Sequence, residues 1–502
     1  MALRLRLKKD GILDHFHGTP RPQQVEALKQ LEDNWDKYDV FILELPVALG
    51  KTRIAHCIAQ WNNAKNKKKT RIITPTNLLV EQYKETFPRL HVLKRQDSYR
   101  CDCYPEDMDI EMANCKNRKQ VEKEFCPTCS YLKAVRQSYV MPYMASNYHV
   151  YMVHKLYSNT LVVDEAHNLV SFIRGMAGKR LWHKDYHYPS WVTSYGLLLK
   201  WINSLSVQQL EVSAKLKLLK EELETGRLRY LVELGEDEYR GQTLKCIKLL
   251  PIDVSKEKPI LWPTGKKNSV EKIVLMSATI NEVDVAALGL DQKRVLKITT
   301  GSAISVEKRP LVYDPIINMA LAYQPNAIPE LAKFIEDAAT FYTETKGLVH
   351  VTYSVALKVQ QYLSNPRILF HDQENKTDVY NMWRDSDPKE GLVLIDAGMS
   401  EGLDLAGSDY TWQIISKVPY PSLEDPAMRH LAETNPKSYA WDTLRQLCQS
   451  YGRICRTPDD YGITYILDKQ FELLLKRSEE YGITPNWFKE AVYAPQATGE
   501  GV

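Results

Sequence analysis

Short runs of apolar residues alternate with amphipathic stretches along most of the chain. Continuous apolar runs of strand length, each followed by a helical pattern, are typical of parallel strands with helices on both faces. The pattern therefore predicts an α/β protein with two parallel-sheet blocks, at residues 1–300 and 301–490. The strand-like runs are Val40 to Leu45, Thr70 to Thr74, Thr160 to Val163, Ile273 to Met276, Gly347 to Val351, Gly391 to Ile395 and Gln413 to Ser416.

Two insertions interrupt the first block. Residues 94–145 hold a cluster of cysteines among many charged side chains, and residues 171–262 have a mainly helical pattern. The predicted first domain therefore comprises residues 1–93, 146–170 and 263–300. Residues 301–490 form the second domain, and residues 491–502 are expected to be a flexible tail.

Composition and charge exclude few functions. Of the 502 residues, 44% are hydrophobic and 26% are charged, which is ordinary for a globular protein. A net charge of +3 provides no general basic field for nucleic acid, although Lys and Arg could still line one groove. No stretch approaches the roughly 18 apolar residues of a membrane span. Met1 to Asp10 lacks the apolar segment of a secretory signal, so we expect a cytoplasmic protein.

A phosphate-binding loop is indicated where the first apolar run ends. Gly50, Lys51 and Thr52 follow that run and precede a helical stretch, so backbone N–H groups at the helix start would face phosphates. In such a loop Lys51 neutralises the β and γ phosphates, and the Thr52 hydroxyl ligates Mg²⁺. The full Gly-x-x-x-x-Gly-Lys-Thr pattern is not met, because Leu45 occupies the first glycine position. Alone, this tripeptide is also compatible with an ordinary helix start.

Two acids end a second apolar run. Asp164 and Glu165 follow Leu161 to Val163, about 110 residues after the candidate phosphate loop. We expect Asp164 to hold Mg²⁺ and Glu165 to position and activate the attacking water. A solvated acid pair at a strand end is common, but its combination with a phosphate loop favours an ATP site.

A third candidate segment lies far downstream, at Gln449 to Arg456. Arg453 and Arg456 are three residues apart, which predicts that they share one face of a helix. Two such arginines could stabilise charge on the γ phosphate in the transition state. A helix with surface ion pairs is the alternative for this segment taken alone.

The ordered set of motifs resembles the superfamily 2 helicases, specifically the iron–sulfur XPD/DinG group. The resemblance covers most of the chain, and its motifs are specific together although Thr74 to Thr76 and Ser277 to Thr279 are weak individually. The motifs are Arg21-Pro-Gln-Gln24, Thr74-Pro-Thr76, Asp164-Glu-Ala-His167, Ser277-Ala-Thr279, Met399-Ser-Glu-Gly-Leu-Asp404 and Gln449 to Arg456.

The resemblance implies two RecA-like domains with ATP in the cleft between them. It places Gln24 beside the adenine, adds Gly402 and Asp404 to the nucleotide site, and makes Gln449 act with the two arginines. It also implies a monomer that translocates 5′ to 3′ on single-stranded DNA and opens forked duplex DNA, with the two insertions as a metal domain and a helical arch. The compact insertions favour a reduced family member from a virus or a bacterium.

One position departs from the family pattern. Ala48 stands where the family's loop has its middle glycine. If the backbone there needs a positive φ, Ala48 is mildly strained, and ATP turnover could be weakened.

Five of the nine cysteines lie between Cys101 and Cys129, and in a reducing compartment such density suggests a metal site. Cys126 and Cys129 form a Cys-Pro-Thr-Cys pair suited to chelation. The family resemblance implies a [4Fe–4S] cluster held by Cys101, Cys115, Cys126 and Cys129, with Cys103 as the spare. The same thiolates could hold zinc, since spacing alone does not separate the two metals.

One other functional class stays open at this stage. A nucleic-acid-stimulated ATPase could clamp or remodel DNA or RNA without processive unwinding, and strand displacement would separate it from a helicase. A helicase–nuclease fusion is not supported, because no separate carboxylate-rich block lies outside the motifs.

Overall fold

The computed structural model describes residues 11–100, 129–206, 214–224, 230–239, 242–255, 270–290, 294–372, 374–397, 405, 407 and 409–492. The chain divides into two compact units, Met1–Glu44 with Gly50–Thr300 and Leu45–Leu49 with Gly301–Val502. Within the described ranges, no helix has the length and apolar character that crossing a bilayer requires.

A seven-stranded sheet forms the centre of the first unit. Its order is β10-β1-β9-β5-β2-β4-β3, and every neighbouring pair is parallel. The strands are β1 Val40–Glu44, β2 Thr70–Thr74, β3 His91–Leu93, β4 Tyr143–Asn147, β5 Thr160–Asp164, β9 Lys272–Ser277 and β10 Val295–Thr299. The helices of this part are α1 Pro22–Asn34, α2 Lys51–Asn66, α3 Asn77–Thr86, α4 Ser130–Val140, α5 Tyr148–Val153, α6 Leu169–Ala177 and α10 Glu282–Ala287.

The apolar runs become the buried central strands because the sheet is covered on both faces. Every residue of β1, β2 and β5 is buried, including the polar residues at the strand ends. Parallel pairing places the carboxyl ends of β1, β5 and β9 at one edge of the sheet. That edge carries the phosphate loop, Asp164 and Ser277.

The second insertion contains a sheet that the mainly helical pattern did not predict. Its three antiparallel strands, in the order β6-β8-β7, are β6 Lys179–Trp182, β7 Tyr230–Tyr239 and β8 Gln242–Pro251. The helices are α7 His183–Tyr186, α8 Tyr195–Ser204 and α9 Ala214–Glu224. Acidic residues through most of β7 hide its strand character, whereas Leu216, Leu219 and Leu223 of α9 pack in a shared core with the sheet.

A six-stranded sheet organises the second unit, and all its neighbouring pairs are parallel. The order is β11-β16-β15-β12-β14-β13, with β11 Leu311–Ile317, β12 Lys346–Val351, β13 Ile368–Leu369, β14 Val393–Ala397, β15 Tyr410–Ile415 and β16 Ile463–Asp468. The helices are α11 Gln324–Phe341, α12 Tyr353–Val359, α13 Lys376–Asp385, α14 Pro426–Thr434, α15 Pro436–Tyr451, α16 Gln470–Glu480 and α17 Asn486–Val492. The predicted pair of parallel-sheet blocks is thus confirmed.

Candidate functional site

The phosphate loop joins the end of β1 to the start of α2. Gly50 caps α2 with a left-handed backbone at φ 66°, and Ala48 also has a positive φ of 68°. A Cβ on Gly50 would lie 3.0 Å from the Gln24 side-chain nitrogen, so both its φ and its surroundings favour glycine. The prediction of strain at Ala48 is confirmed, since a left-handed backbone costs a residue with a Cβ about 1 kcal/mol.

Gln24 lies beside this loop and is buried in the first turn of α1. Its Oε1 accepts a 2.8 Å hydrogen bond from the Arg21 backbone N–H, which closes a capping box at the start of the helix. The other end of the amide faces the Cα of Gly50. The motif Arg21 to Gln24 therefore lies against the phosphate loop. The adenine contact that the family resemblance implies for Gln24 stays a prediction.

The acid pair sits where β5 ends, in the middle of the sheet. Lys51 Nζ lies 3.1 Å from Glu165 Oε1, so the phosphate-loop lysine and the second acid form an ion pair. Tyr83 donates a 2.8 Å hydrogen bond to Asp164 Oδ2, and the Glu165 backbone N–H donates to Asp164 Oδ1 at 3.0 Å. Glu165 itself has a left-handed backbone, with φ 48°, which turns the chain sharply after the strand.

The pKa values of Asp164 and Glu165 are shifted in opposite directions. Burial, reinforced by the neighbouring Glu165 carboxylate, raises the pKa of Asp164 to about 6. Burial also acts to raise the pKa of Glu165, but the Lys51 ammonium and the His167 ring together lower that pKa well below its ordinary value. Lys51 and Glu165 therefore neutralise each other in the protein without nucleotide.

His167 links the acid pair to the Ser277–Thr279 segment. Its Nδ1 lies 3.4 Å from Glu165 Oε2 and 2.9 Å from Ser277 Oγ. Ser277 Oγ also accepts a 3.1 Å hydrogen bond from the Thr279 backbone N–H. Two segments 110 residues apart thus share one imidazole, because β5 and β9 are parallel neighbours. Through this contact, the individually weak Ser-Ala-Thr motif lies beside the acid pair.

Two tyrosines that the sequence did not single out as site residues hold the acid pair in place. Tyr83 of α3 is buried against Asp164. Tyr148 donates to the backbone oxygens of Asp164 and Glu165 at 2.7 and 3.0 Å. Tyr83 lies in the amphipathic helix α3, and Tyr148 is the first residue of the short helix α5.

The predicted shared helical face for Arg453 and Arg456 is wrong. Helix α15 carries Gln449 but ends at Tyr451, and both arginines lie in the turn that follows. Gly452 closes the helix by donating to the Cys448 backbone oxygen, and Cys455 adopts a positive φ of 65° that no helix can accommodate. The side chain of Arg453 is largely buried.

Asp460 holds this turn by accepting three hydrogen bonds. The backbone N–H groups of Arg456 and Thr457 each donate to Oδ2 at 2.7 Å, and the Thr457 hydroxyl donates to Oδ1 at 2.7 Å. Burial acts to raise the pKa of Asp460, but these donors outweigh it and lower the pKa. An ionised Asp460 therefore fixes the backbone at Arg456.

Several predicted site residues lie outside the described part of the chain. They are Cys101, Cys103, Cys115, Cys126, Gly402 and Asp404. Cys129 is described: it is partly buried and immediately precedes α4. Among the described residues, no group of three or more His, Cys, Asp or Glu side chains is arranged to hold a metal ion. The metal assignment therefore stays a prediction.

Two family models match separate parts of the chain. The helicase C-terminal domain matches residues 329–489, and the model described as type III restriction enzyme, res subunit, matches residues 17–184. A regulator of telomere elongation helicase 1 homolog from Drosophila persimilis is 31% identical over 106 residues, which are 18% of this chain and 10% of that protein. The Drosophila melanogaster protein is 30% identical over a segment of the same length, 11% of its own chain. The alignment thus spans about a tenth of these relatives.

Solved structures resemble nearly the whole chain. Xpd4 of S. tokodaii has a TM-score of 0.56 at 16% identity and covers 92% of this chain and 98% of its own. An XPD helicase structure has a TM-score of 0.59 at 14% identity, with 93% and 99% covered. At these identities the likeness establishes the fold: two RecA-like domains, as the sequence predicts.

Proposed function

We propose that this chain is a superfamily 2 helicase of the XPD/DinG type, which uses ATP hydrolysis to translocate on single-stranded DNA. The proposed direction is 5′ to 3′, and the proposed substrate is a forked duplex, both carried over from the family. The observation that carries the proposal is the 3.1 Å contact between Lys51 Nζ and Glu165 Oε1. It brings a phosphate-binding cation and a candidate base to one sheet edge.

ATP binding would rearrange the charges of this edge. The Lys51 ammonium would pair with the β and γ phosphates instead of with Glu165, and the backbone N–H groups at the start of α2 would face these phosphates. That exchange releases Glu165, whose carboxylate can then orient a water and accept its proton. The water oxygen forms a bond to the γ phosphorus while the bond from phosphorus to the β–γ bridging oxygen breaks, giving ADP and phosphate.

Thr52 and Asp164 would hold Mg²⁺ in this site. Their oxygens are the ligand type that this cation prefers, and Asp164 Oδ2 is already oriented by Tyr83. Bound Mg²⁺ would supply charge neutralisation at the phosphates. The role of Tyr83 is to keep the Asp164 carboxylate in one orientation.

The second unit would contribute Gln449, Arg453 and Arg456 to hydrolysis. We assign the arginines to the developing charge on the γ phosphate, with Asp460 holding the turn that carries them. Gly402 and Asp404 are assigned to the nucleotide site by family resemblance.

The cysteines Cys101, Cys115, Cys126 and Cys129 are proposed to hold a [4Fe–4S] cluster. Four thiolates suit either that cluster or zinc. Protein purified without oxygen should be brown, with about four iron and four sulfide per chain. A colourless protein with one zinc would overturn the cluster while keeping the ligands.

The test of the motor is a set of matched variants. Lys51→Ala should abolish DNA-stimulated ATP hydrolysis, and Glu165→Gln should bind ATP but turn it over far more slowly. Lys65→Ala is the control, since it removes a half-exposed lysine from the same helix. Normal turnover in Lys51→Ala would refute the ATP site.

Strand displacement then separates the helicase from a clamp. A fluorescently labelled fork with a 5′ single-stranded tail should be opened in the presence of ATP, and a fork with only a 3′ tail should not. ATP turnover without displacement of either fork would leave an ATPase that clamps or remodels nucleic acid.

A further inference from the structure

A row of polar side chains crosses the apolar interior of the second unit. It runs through four neighbouring strands and ends at a residue that follows a fifth strand, and we call it the polar row. Its members are Thr464 on β16, Gln413 on β15, His350 on β12, Asp396 on β14, and His371, which follows β13 by two residues. Gln413 and Thr464 are almost completely buried, as is the Asp396 side chain.

Contacts connect the members from strand to strand. Gln413 Nε2 donates to Thr464 Oγ1 at 2.8 Å, and Gln413 Oε1 lies 3.1 Å from His350 Nε2. His350 Nδ1 lies 3.5 Å from Asp396 Oδ2. The other carboxylate oxygen of Asp396 faces His371 Nε2 at 3.9 Å. In the strand registers His350 pairs with Asp396 and Gln413 pairs with Thr464. Gln413 pairs with Leu348, two residues before His350, so the row crosses from β15 to β12 on a diagonal along one face.

One end of the row reaches the turn that carries the arginines. Gln413 Nε2 also donates to the backbone oxygen of Tyr451 at 2.9 Å, and Tyr451 is the last residue of α15. At the other end, the Ala397 backbone N–H donates to His371 Nε2 at 3.2 Å. Ala397 directly precedes the segment that contains Gly402 and Asp404 in the sequence. The row is therefore hydrogen-bonded from His350 through Gln413 to Tyr451, whereas His371 lies beyond hydrogen-bonding distance of Asp396.

Hydrogen-bond chemistry gives the row a defined direction. The Tyr451 carbonyl can only accept, so Gln413 must present its NH₂ to that side and its oxygen to His350. His350 Nε2 must then carry a proton, which it donates to Gln413. Replacing any middle member with an apolar side chain would leave buried donors or acceptors without partners.

Packing alone does not require this row. Central strands of parallel sheets are ordinarily apolar, and buried hydrogen-bonded groups can often be replaced together by apolar groups with little loss of stability. The strand residues on both sides of Gln413, Trp412 and Ile414, follow the apolar rule and are completely buried. A polar chain that ends on Tyr451 is better suited to fixing one geometry than to adding stability.

A second contact fixes the same residue from another side. The Tyr451 hydroxyl donates to the Arg309 backbone oxygen, and Arg309 Nη1 donates to the Trp487 backbone oxygen. The side chain of Tyr451 is thus anchored independently, while its backbone oxygen depends on Gln413. Loss of the row would therefore free the backbone at the end of α15 without releasing the ring.

We propose that the polar row sets the position of the Arg453–Arg456 turn, with His350 and Gln413 as positioning residues for ATP hydrolysis. This inference rests on the proposed function, because it assumes that the turn acts on the γ phosphate. Neither residue belongs to the proposed nucleotide site. Both act through the backbone oxygen of Tyr451, two residues before Arg453.

The experiment compares three variants of the full chain. Gln413→Met keeps the side-chain length but removes every hydrogen bond to Tyr451, Thr464 and His350. His350→Gln is the conservative variant, because its side-chain NH₂ can still donate to Gln413. Tyr465→Phe is the control: it removes the 2.8 Å bond between the Tyr342 and Tyr465 hydroxyls in the same sheet but outside the row.

Misplacing the arginines should lower kcat and spare ATP binding. We expect Gln413→Met to reduce kcat roughly tenfold or more, with a change in KM of less than about twofold. His350→Gln should retain most of the wild-type kcat, and Tyr465→Phe should match wild type. Amide hydrogen exchange at residues 452–460 should accelerate in Gln413→Met only.

The outcomes separate this inference from the proposed function. If Lys51→Ala abolishes turnover but Gln413→Met equals Tyr465→Phe in kcat and in exchange at residues 452–460, the positioning role is wrong and the ATP site stands. If Lys51→Ala turns over normally, the ATP site is wrong, and amide exchange alone then decides whether the row holds the turn. Should Gln413→Met fail to fold, Gln413→Asn provides the same test, since its amide keeps the site polar but is one methylene too short to reach the Tyr451 carbonyl.

Discussion

The hydroxyl of Tyr83 offers a sharp test of how the acid pair is held. Tyr83→Phe removes one oxygen and leaves a ring of nearly the same shape in a fully packed position. The lost group is the 2.8 Å donor to Asp164 Oδ2. Asp164 keeps its other donor, the Glu165 backbone N–H, which lies 3.0 Å from Oδ1.

The loss of stability in Tyr83→Phe can be estimated from the hydrogen bond that it removes. A hydrogen bond to a carboxylate contributes about 1.5–3 kcal/mol, and the buried Oδ2 would have no replacement for the lost donor. We expect the free energy of unfolding of the first unit to fall by about 2 kcal/mol. For a unit of this size, that corresponds to a fall in Tm of roughly 4–8 °C.

The same change should raise the Mg²⁺ requirement. A residue that orients a metal ligand typically contributes 10- to 100-fold in metal affinity. The Mg²⁺ concentration for half-maximal ATP turnover should therefore rise about tenfold in Tyr83→Phe. Calorimetric unfolding and a Mg²⁺ titration of ATPase activity measure the two effects.

Tyr143→Phe is the matched control. Its hydroxyl accepts only a 3.4 Å hydrogen bond from Gln60, so both the Tm and the Mg²⁺ requirement should stay close to wild type. An unchanged Tm and Mg²⁺ requirement in Tyr83→Phe would refute the reasoning. Equal losses in the control would show that the effects do not arise at Asp164.

Three further predictions test other features. Ala48→Gly should raise the Tm slightly by relieving the left-handed backbone, a gain below about 1 kcal/mol because glycine loses more entropy on folding; a lower Tm would contradict the strain. Burial, helped by the nearby charge of His17, lowers the pKa of His56 from 6.5 to about 4 beside the stacked Phe87 ring. The unfolded chain therefore binds a proton at higher pH than the folded one, and stability should fall by about 2 kcal/mol between pH 6.5 and 4. Denaturant unfolding between pH 6.5 and 4 should show that the stability of His56→Met depends less on pH than the stability of the wild-type protein. The same pH dependence in both proteins would contradict the prediction. Cys129→Ser should remove the metal and Cys103→Ser should not, as read by iron and zinc analysis; the reverse pattern would mean a different ligand set.

The sequence predictions that the structure confirms depend on local patterns of apolar residues and helix-capping residues. The apolar run at Val40 ends one residue before the predicted boundary, and the helix after Gly50 begins at Lys51. These features depend on neighbouring residues alone, because burial of a central strand and the cap of a helix are local requirements. The expectation of strain at Ala48 came instead from the family resemblance, because the family's loop has a glycine at this position, and the positive φ of 68° meets its condition.

Helical spacing alone was insufficient where the chain makes a hydrogen bond that competes with the helix. The spacing of Arg453 and Arg456 is compatible with a helix, but the carboxylate of Asp460 captures the backbone N–H of Arg456 instead. Likewise, residues 171–262 have a mainly helical pattern, but the acidic segment of β7 forms a strand by antiparallel pairing with β8.

The sequence by itself determined which segments become inner strands of the two parallel sheets and where phosphate chemistry could occur. Only the tertiary structure decided which distant side chains meet, such as His167 with Ser277 and Gln413 with Tyr451. The reason is that strand order in a parallel sheet is set by long-range packing, while apolar periodicity reports only whether each strand is buried. Each residue type was visible along the chain, but its partner was not.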